Sequence, residues 1–188
     1  RKHIKEGKFV VSIGGEHSVS IGPIRAHAAQ YPSLSVLQLD AHTDLRQSYE
    51  GSAYNHACVM ARARELCPIV QVGIRSMDSS ELIGLERERV FWAHDIVGNT
   101  GWEQRAIDLL TPQVYITIDL DAFDPAIVPS TGTPEPGGLG WHPTLRFLQQ
   151  VFATREVVGF DIVELCPTGN YKPSAFLAAK LLYRLLSF

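Results

Sequence analysis

Cysteine is scarce and odd in number: Cys58, Cys67 and Cys166 stand alone, with no C-x-x-C spacing. That set builds no even disulfide framework and fits reduced thiols, so a cytoplasmic chain is expected. Basic runs are missing too. The 17 Lys and Arg are outnumbered by 20 Asp and Glu, for a net charge of -3. No basic stripe interleaved with aromatics offers a surface to phosphate backbones, so no nucleic-acid partner is expected. No uninterrupted apolar run reaches the length of a bilayer span, which argues against a membrane partner. Repeats, low-complexity tracts and Ser/Gly linkers are also absent, so residues 1–188 read as one domain. What is present is an ordinary globular balance, 45% hydrophobic and 20% charged, enough for a sizeable core. The first residue is Arg1, and Arg1 to Lys8 reads as the charged end of a helix feeding a strand. The expectation is the carboxyl-terminal part of a longer domain.

Apolar runs of strand length alternate with segments of helical period. Phe9–Ile13, Leu34–Leu39, Ile69–Ile74, Val90–Trp92, Val114–Ile118 and Val157–Ile162 read as strands. Ser18–Gln30, His56–Leu66, Pro143–Phe152 and Ser174–Leu186 read as helices, with Pro143 suited to a first turn. Near-continuous apolar strands joined by helices predict an α/β fold with a mainly parallel sheet covered on both faces. Polar residues cluster where those strands end. Gly-Gly-Glu16-His17 follows the first, Asp40-Ala-His42-Thr-Asp44 the second, Asp119-Leu-Asp121 closes the fifth, and Glu164 follows the sixth. In open α/β sheets, ligands bind outside the carboxyl ends of the strands.

Asp40, His42 and Asp44 alternate, and an extended chain end would turn all three to one side. With Asp119, Asp121 and His17 they make four carboxylates and two imidazoles, too many for one zinc. Oxygen-rich shells around two divalent cations suit them better, with Mn²⁺ the natural choice. Such a pair lowers the pKa of a shared water and holds it as a nucleophile. Burying four uncompensated carboxylates would be very costly, so a purely structural role is the weaker reading. Asp124-Pro125 reads as a turn and Asp161 as structural. His3, His27, His94 and His142 read as surface or packing residues, Cys58 as core, and Arg46 and Glu50 as partners of each other. Gly132, Gly137 and Gly138 read as loop glycines that let backbone approach the site.

The sequence resembles the ureohydrolase (arginase–agmatinase) family over nearly its whole length. The resemblance rests on GGEHS at 14–18, DAHTD at 40–44, NHA at 55–57, IDLDAFDPAIVPSTGTPEPGG at 118–138 and DIVELCP at 161–167. It implies a three-layer α/β/α sandwich, further strands ahead of Phe9 in the family's chains, and two Mn²⁺ per chain. His17, Asp40, Asp44 and Asp119 match the ligands of one ion; His42, Asp40, Asp119 and Asp121 match those of the other. Glu164 matches the carboxylate that grips a guanidinium, Thr133 a residue of that pocket, and His56 a proton shuttle. Asp44 would pass a proton to the leaving amine. The implied reaction is hydrolysis of a guanidinium compound to urea and an amine, by a homo-oligomer such as a trimer or hexamer.

Agmatine, giving putrescine, is the expected substrate. Arginine needs polar donors that the family's arginases carry after D-A-H-x-D and before the shuttling His. Here those places read Leu45-Arg46 and Ala53-Tyr54-Asn55, so Asn55 alone remains as a substrate contact. Asp78 is a further candidate for a distal ammonium, with an exposed turn as the plainer reading. Guanidinobutyrate, guanidinopropionate and free guanidine are the alternatives within the family. A truncated non-catalytic relative is another reading, opposed by the intact ligand set. A two-metal phosphoesterase would want phosphate donors near the metals, and only Arg46 is close to a motif. A deacetylase on the same architecture would need one zinc and fewer ligands.

Overall fold

The computed structural model describes residues 1–167 and 169–188. Six strands form one sheet: β1 (Val10–Ile13), β2 (Leu34–Leu39), β3 (Ile69–Ile74), β4 (Val90–Trp92), β5 (Gln113–Asp119) and β6 (Glu156–Val163). Their order is β1-β6-β5-β2-β3-β4, and every pairing is parallel. All six predicted runs are strands to within a residue or so at their ends.

Parallel strands need crossovers: α2 (Ile21–Ala28), α3 (Val59–Ala63), α4 (Ala93–Ile96) with α5 (Trp102–Asp108), and α6 (Trp141–Thr154) supply four of the five. The 3₁₀ turns Ser79–Gly84 and Arg87–Arg89 supply the one from β3 to β4, while α1 (Lys2–Lys5) precedes β1 and α7 (Pro173–Leu185) follows β6. The sheet separates two apolar clusters. Leu34 and Val36 of β2 pack with Ile24 of α2 and Met60 of α3 on one face. Leu37 and Leu39 pack on the other, with Trp102 of α5, Phe147 and Leu148 of α6 and Leu181 of α7. This two-residue alternation across a covered sheet is the α/β/α sandwich that was expected.

Two helical expectations are corrected in detail. Residues predicted as helix from Ser18 begin as a 3₁₀ turn, His17–Ser20, before α2, with Pro23 in the first turn of α2. Likewise His56–Cys58 is a 3₁₀ turn ahead of α3. The Asn55 side chain caps that turn, accepting from Ala57 N at 3.2 Å. Helix α5 was not foreseen. Its first residue follows Gly101 at φ 85°, with no Ser, Thr, Asp or Asn side chain capping it.

Candidate metal centre

The candidate residues converge beyond the carboxyl ends of β1, β2, β5 and β6. His17 is buried, and its Nδ1 lies 3.1 Å from Asp40, 3.0 Å from Asp44 and 3.4 Å from Asp119. His42, a quarter exposed, brings its Nδ1 to 3.0 Å from Asp121 and 3.5 Å from Asp40. Two tight donor groups result, His17–Asp40–Asp44 and Asp40–His42–Asp121, and they share Asp40. Asp119 touches both halves, since its Oδ1 accepts from Asp121 N at 2.8 Å.

One expectation about local geometry is corrected. Residues 40–44 do not continue β2 as an extended end. The Asp40 side chain accepts from His42 N at 2.7 Å across a local bend, His42 still pairs in parallel with Ser76, and Asp44 sits at φ 52°. Convergence comes from this turn rather than from strand alternation. Glu81, buried, fixes the turn from outside. It accepts from Thr43 Oγ1 at 2.8 Å and Leu45 N at 2.7 Å, on either side of Asp44, and from Asp78 N at 2.6 Å.

A row of polar side chains supports the cluster from beneath. Ser12, Asp161, Thr117, Gln38 and Gln71 are register partners across five adjacent strands. Thr117 Oγ1 contacts His17 Nε2 at 2.9 Å and donates to Asp161 at 2.7 Å. Tyr115 also donates to Asp161, at 2.8 Å. Gln38 donates to Asp40 Oδ2 at 2.7 Å, and Gln71 donates to Gln38 and to Thr43 O. With Nε2 as the donor toward Thr117, His17 presents the Nδ1 lone pair to the carboxylates. Asp161, expected to be structural, acts through this chain.

The electrostatics follow from burial. Burial first, and the Asp40 charge second, push Asp44 up to about 7. Burial and neighbouring carboxylates likewise raise Asp119 and Asp121. Burial opposes protonation of the imidazoles, but contacts with Asp119, Asp40 and Asp44 outweigh it and raise His17 well above its ordinary value. Asp121 and Asp40 do the same for His42, up to about 11. Four carboxylates this deep call for bound positive charge. His17 Nδ1 is buried without a hydrogen-bond partner, so the oxygens around it are arranged as co-ligands are. The donor set therefore fits two divalent cations with mixed oxygen and nitrogen shells.

A cavity of about 410 Å³ opens over the cluster. Glu164 lines it at φ 64°, with Oε1 accepting from His17 N at 2.6 Å. Burial raises the Glu164 pKa. Thr133 lines it too, donating to Asp121 Oδ2 at 3.3 Å. His56 is at the rim, half exposed, with Nδ1 3.2 Å from Glu16. Asn55 is not among the described residues lining the cavity. Arg46 pairs with Asp78 at 3.3 Å and stacks over Tyr49, so the expected Arg46–Glu50 pair is replaced. Asp78 is at the mouth, engaged by Arg46. The polar row and Glu81 were missed by sequence reading.

Fold and site together define a class: a doubly covered parallel sheet whose carboxyl edge carries two linked His–Asp donor groups able to hold divalent cations, beneath a cavity lined by Glu164. The comparisons agree and sharpen it. A profile of the arginase family matches residues 1–187. N(1)-aminopropylagmatine ureohydrolase of Synechocystis sp. is 44% identical over 190 aligned positions, covering 98% of this chain and 62% of that protein. Agmatinase of Pyrococcus horikoshii is 37% identical, covering 92% of this chain and 60% of its own length. Among solved structures, the agmatine ureohydrolase of Thermoplasma volcanium superposes with a TM-score of 0.86 at 35% identity, covering 99% of this chain and 64% of that one. The chain belongs to the arginase family, and it spans about three fifths of the length of these curated relatives.

Proposed function

We propose that this protein hydrolyses a guanidinium compound to urea and an amine at a two-manganese site. The observation that carries the reading is the pair of donor groups sharing Asp40, with Glu164 facing the same cavity. His17, Asp40, Asp44 and Asp119 would hold one ion, and His42, Asp40, Asp119 and Asp121 the other. When bound, such a pair supplies an acidified water as nucleophile.

The chain's own residues do the rest. Glu164, its Oε1 fixed by His17 N, accepts charge-assisted hydrogen bonds from the guanidinium and turns its planar carbon toward the cluster. Thr133 borders that group. Water oxygen adds to the guanidinium carbon and the bond to the alkyl nitrogen breaks. Asp44 delivers the proton that nitrogen takes up, and His56 at the rim exchanges protons with solvent. Residues 1–188 act as one domain in this reading, supported by the single continuous sheet. The working unit is a homo-oligomer, trimer or hexamer, in the cytoplasm, in keeping with the family resemblance and three free cysteines.

For substrate we take agmatine, cleaved to putrescine and urea, over arginine. Arg46, a cation that could grip an α-carboxylate, is committed to Asp78 and Tyr49. A second reading is N(1)-aminopropylagmatine, favoured by the relatives of that name at 44% and 42% identity, against 37% for an agmatinase. The test is kcat/KM for urea release across agmatine, aminopropylagmatine, arginine and guanidinobutyrate. A lead for either polyamine precursor supports the assignment, with their order choosing between the two. A lead for arginine or guanidinobutyrate rejects it and keeps the ureohydrolase reading.

A further inference from the structure

Arg75 follows the end of β3, and its guanidinium is partly buried among backbone carbonyls. Nη2 donates to Asp121 O at 2.7 Å and Glu135 O at 2.7 Å. Nη1 donates to Gly73 O at 3.0 Å and Ala122 O at 3.4 Å, and Nε to Pro136 O at 3.1 Å. Among the described residues no carboxylate forms an ion pair with it; its donors are spent on main chain. Its backbone N–H donates to Ala41 O at 2.8 Å, between Asp40 and His42. Ala41 N in turn donates to Asp121 Oδ1 at 3.0 Å.

One residue thus ties together the 40–42 turn, the 121–123 turn and the 135–136 segment. The slot around the guanidinium is tight. A Cβ on Gly138 would meet Asp124 N at 2.6 Å and Arg75 Nη2 at 2.7 Å, so only glycine fits beside the clamp. The clamped segment carries Glu135, whose carboxylate lies 3.9 Å from His42 Nε2, behind the ring nitrogen that faces Asp121. His42 and Asp121 are therefore the two donors whose supports run through Arg75. His17 and Asp44 rest on other supports, Thr117 and Glu81.

We propose that Arg75 is a positioning residue that holds the 121–123 turn and the 135–136 segment in register, and so sets cation affinity at the His42–Asp121 half of the cluster. The inference rests on the two-cation reading above. Arginine suits the task because its planar fork reaches several acceptors at once, which a lysine cannot reproduce.

The experiment compares wild type with Arg75→Lys and Arg75→Ala in three measurements: Mn²⁺ titration by calorimetry, amide hydrogen exchange over residues 131–139, and thermal unfolding. Losing a side chain that orients a metal ligand weakens metal binding by about 10–100-fold. In Arg75→Lys, one ion should bind as in wild type and the second should weaken by at least about tenfold, with faster exchange over 131–139 and an intact cooperative transition. Arg75→Ala should extend both effects. Two ions bound as in wild type, or both weakened equally in step with a lowered melting temperature, would overturn the proposal. If wild type binds no Mn²⁺, the metal reading falls; exchange over 131–139 then decides for Arg75 alone, faster in the variants if it clamps the segment and unchanged if it does not.

Discussion

Asp44 and Glu164 both sit at positive φ, 52° and 64°, where a non-glycine side chain is strained by about 1 kcal/mol or more. Both point into the candidate site, so the strain is held where geometry matters most. For Glu164 the role proposed is contact with the guanidinium. Glu164→Gln keeps the size and the backbone but removes the charge, and should leave two Mn²⁺ per chain. Losing a charge-assisted contact costs about 1.5–3 kcal/mol, so kcat/KM for urea release should fall roughly one to two orders of magnitude. Unchanged kinetics, or loss of metal instead, rejects the assignment. Thr117 is the complementary case, near the cluster but touching no substrate. Thr117→Val removes the partner of His17 Nε2 at nearly constant volume. Mn²⁺ affinity should drop by about 10–100-fold while circular dichroism stays unchanged. An unaltered titration would show that Thr117 does not set the tautomer of His17.

Among the elements, the strands were legible because parallel, doubly buried strands read as unbroken apolar runs such as Leu34–Leu39 and Ile69–Ile74. The ligand residues were legible because the ends of those runs are where polar side chains abruptly concentrate. Two things were not. The turn at 40–44 is made by the Asp40 side chain bonding its own backbone, which alternation of residue types does not reveal. The polar row from Ser12 to Gln71 exists only in the register between strands, a long-range property that no single strand carries. Glu81, in the 3₁₀ turn Ser79–Gly84, belongs with these. It sits far along the chain from the turn that it ties. Glu81→Ala would leave Leu45 N and Thr43 Oγ1 without their acceptor, at about 1–3 kcal/mol for each donor left buried and unpaired. The urea midpoint of the metal-free chain should fall and amide exchange at Leu45 should quicken; a midpoint equal to wild type would mean that the turn holds itself.

On the scale of the whole molecule, the cluster ties stability to pH with a definite sign. Asp44, raised to about 7 in the fold, favours the folded state while protonated, and that contribution is lost as pH climbs from the ordinary Asp value of 3.8 through about 7. His42, raised to about 11, stabilises the fold below the ordinary 6.5, and that contribution is lost as pH rises toward about 11. The two trends add. The melting temperature of the metal-free chain should therefore decline between about pH 5 and about pH 9, and saturating Mn²⁺ should remove or reverse the decline, since cations compete with protons for these donors. A metal-free melting temperature that rises over this range contradicts the charge assignment. Manganese bound per chain, counted against the rate of urea release from agmatine, bears most directly on the central reading. Activity should appear as the second ion binds and vanish, with metal content reduced, in Asp119→Ala; full activity at one ion per chain, or none at two, would contradict it.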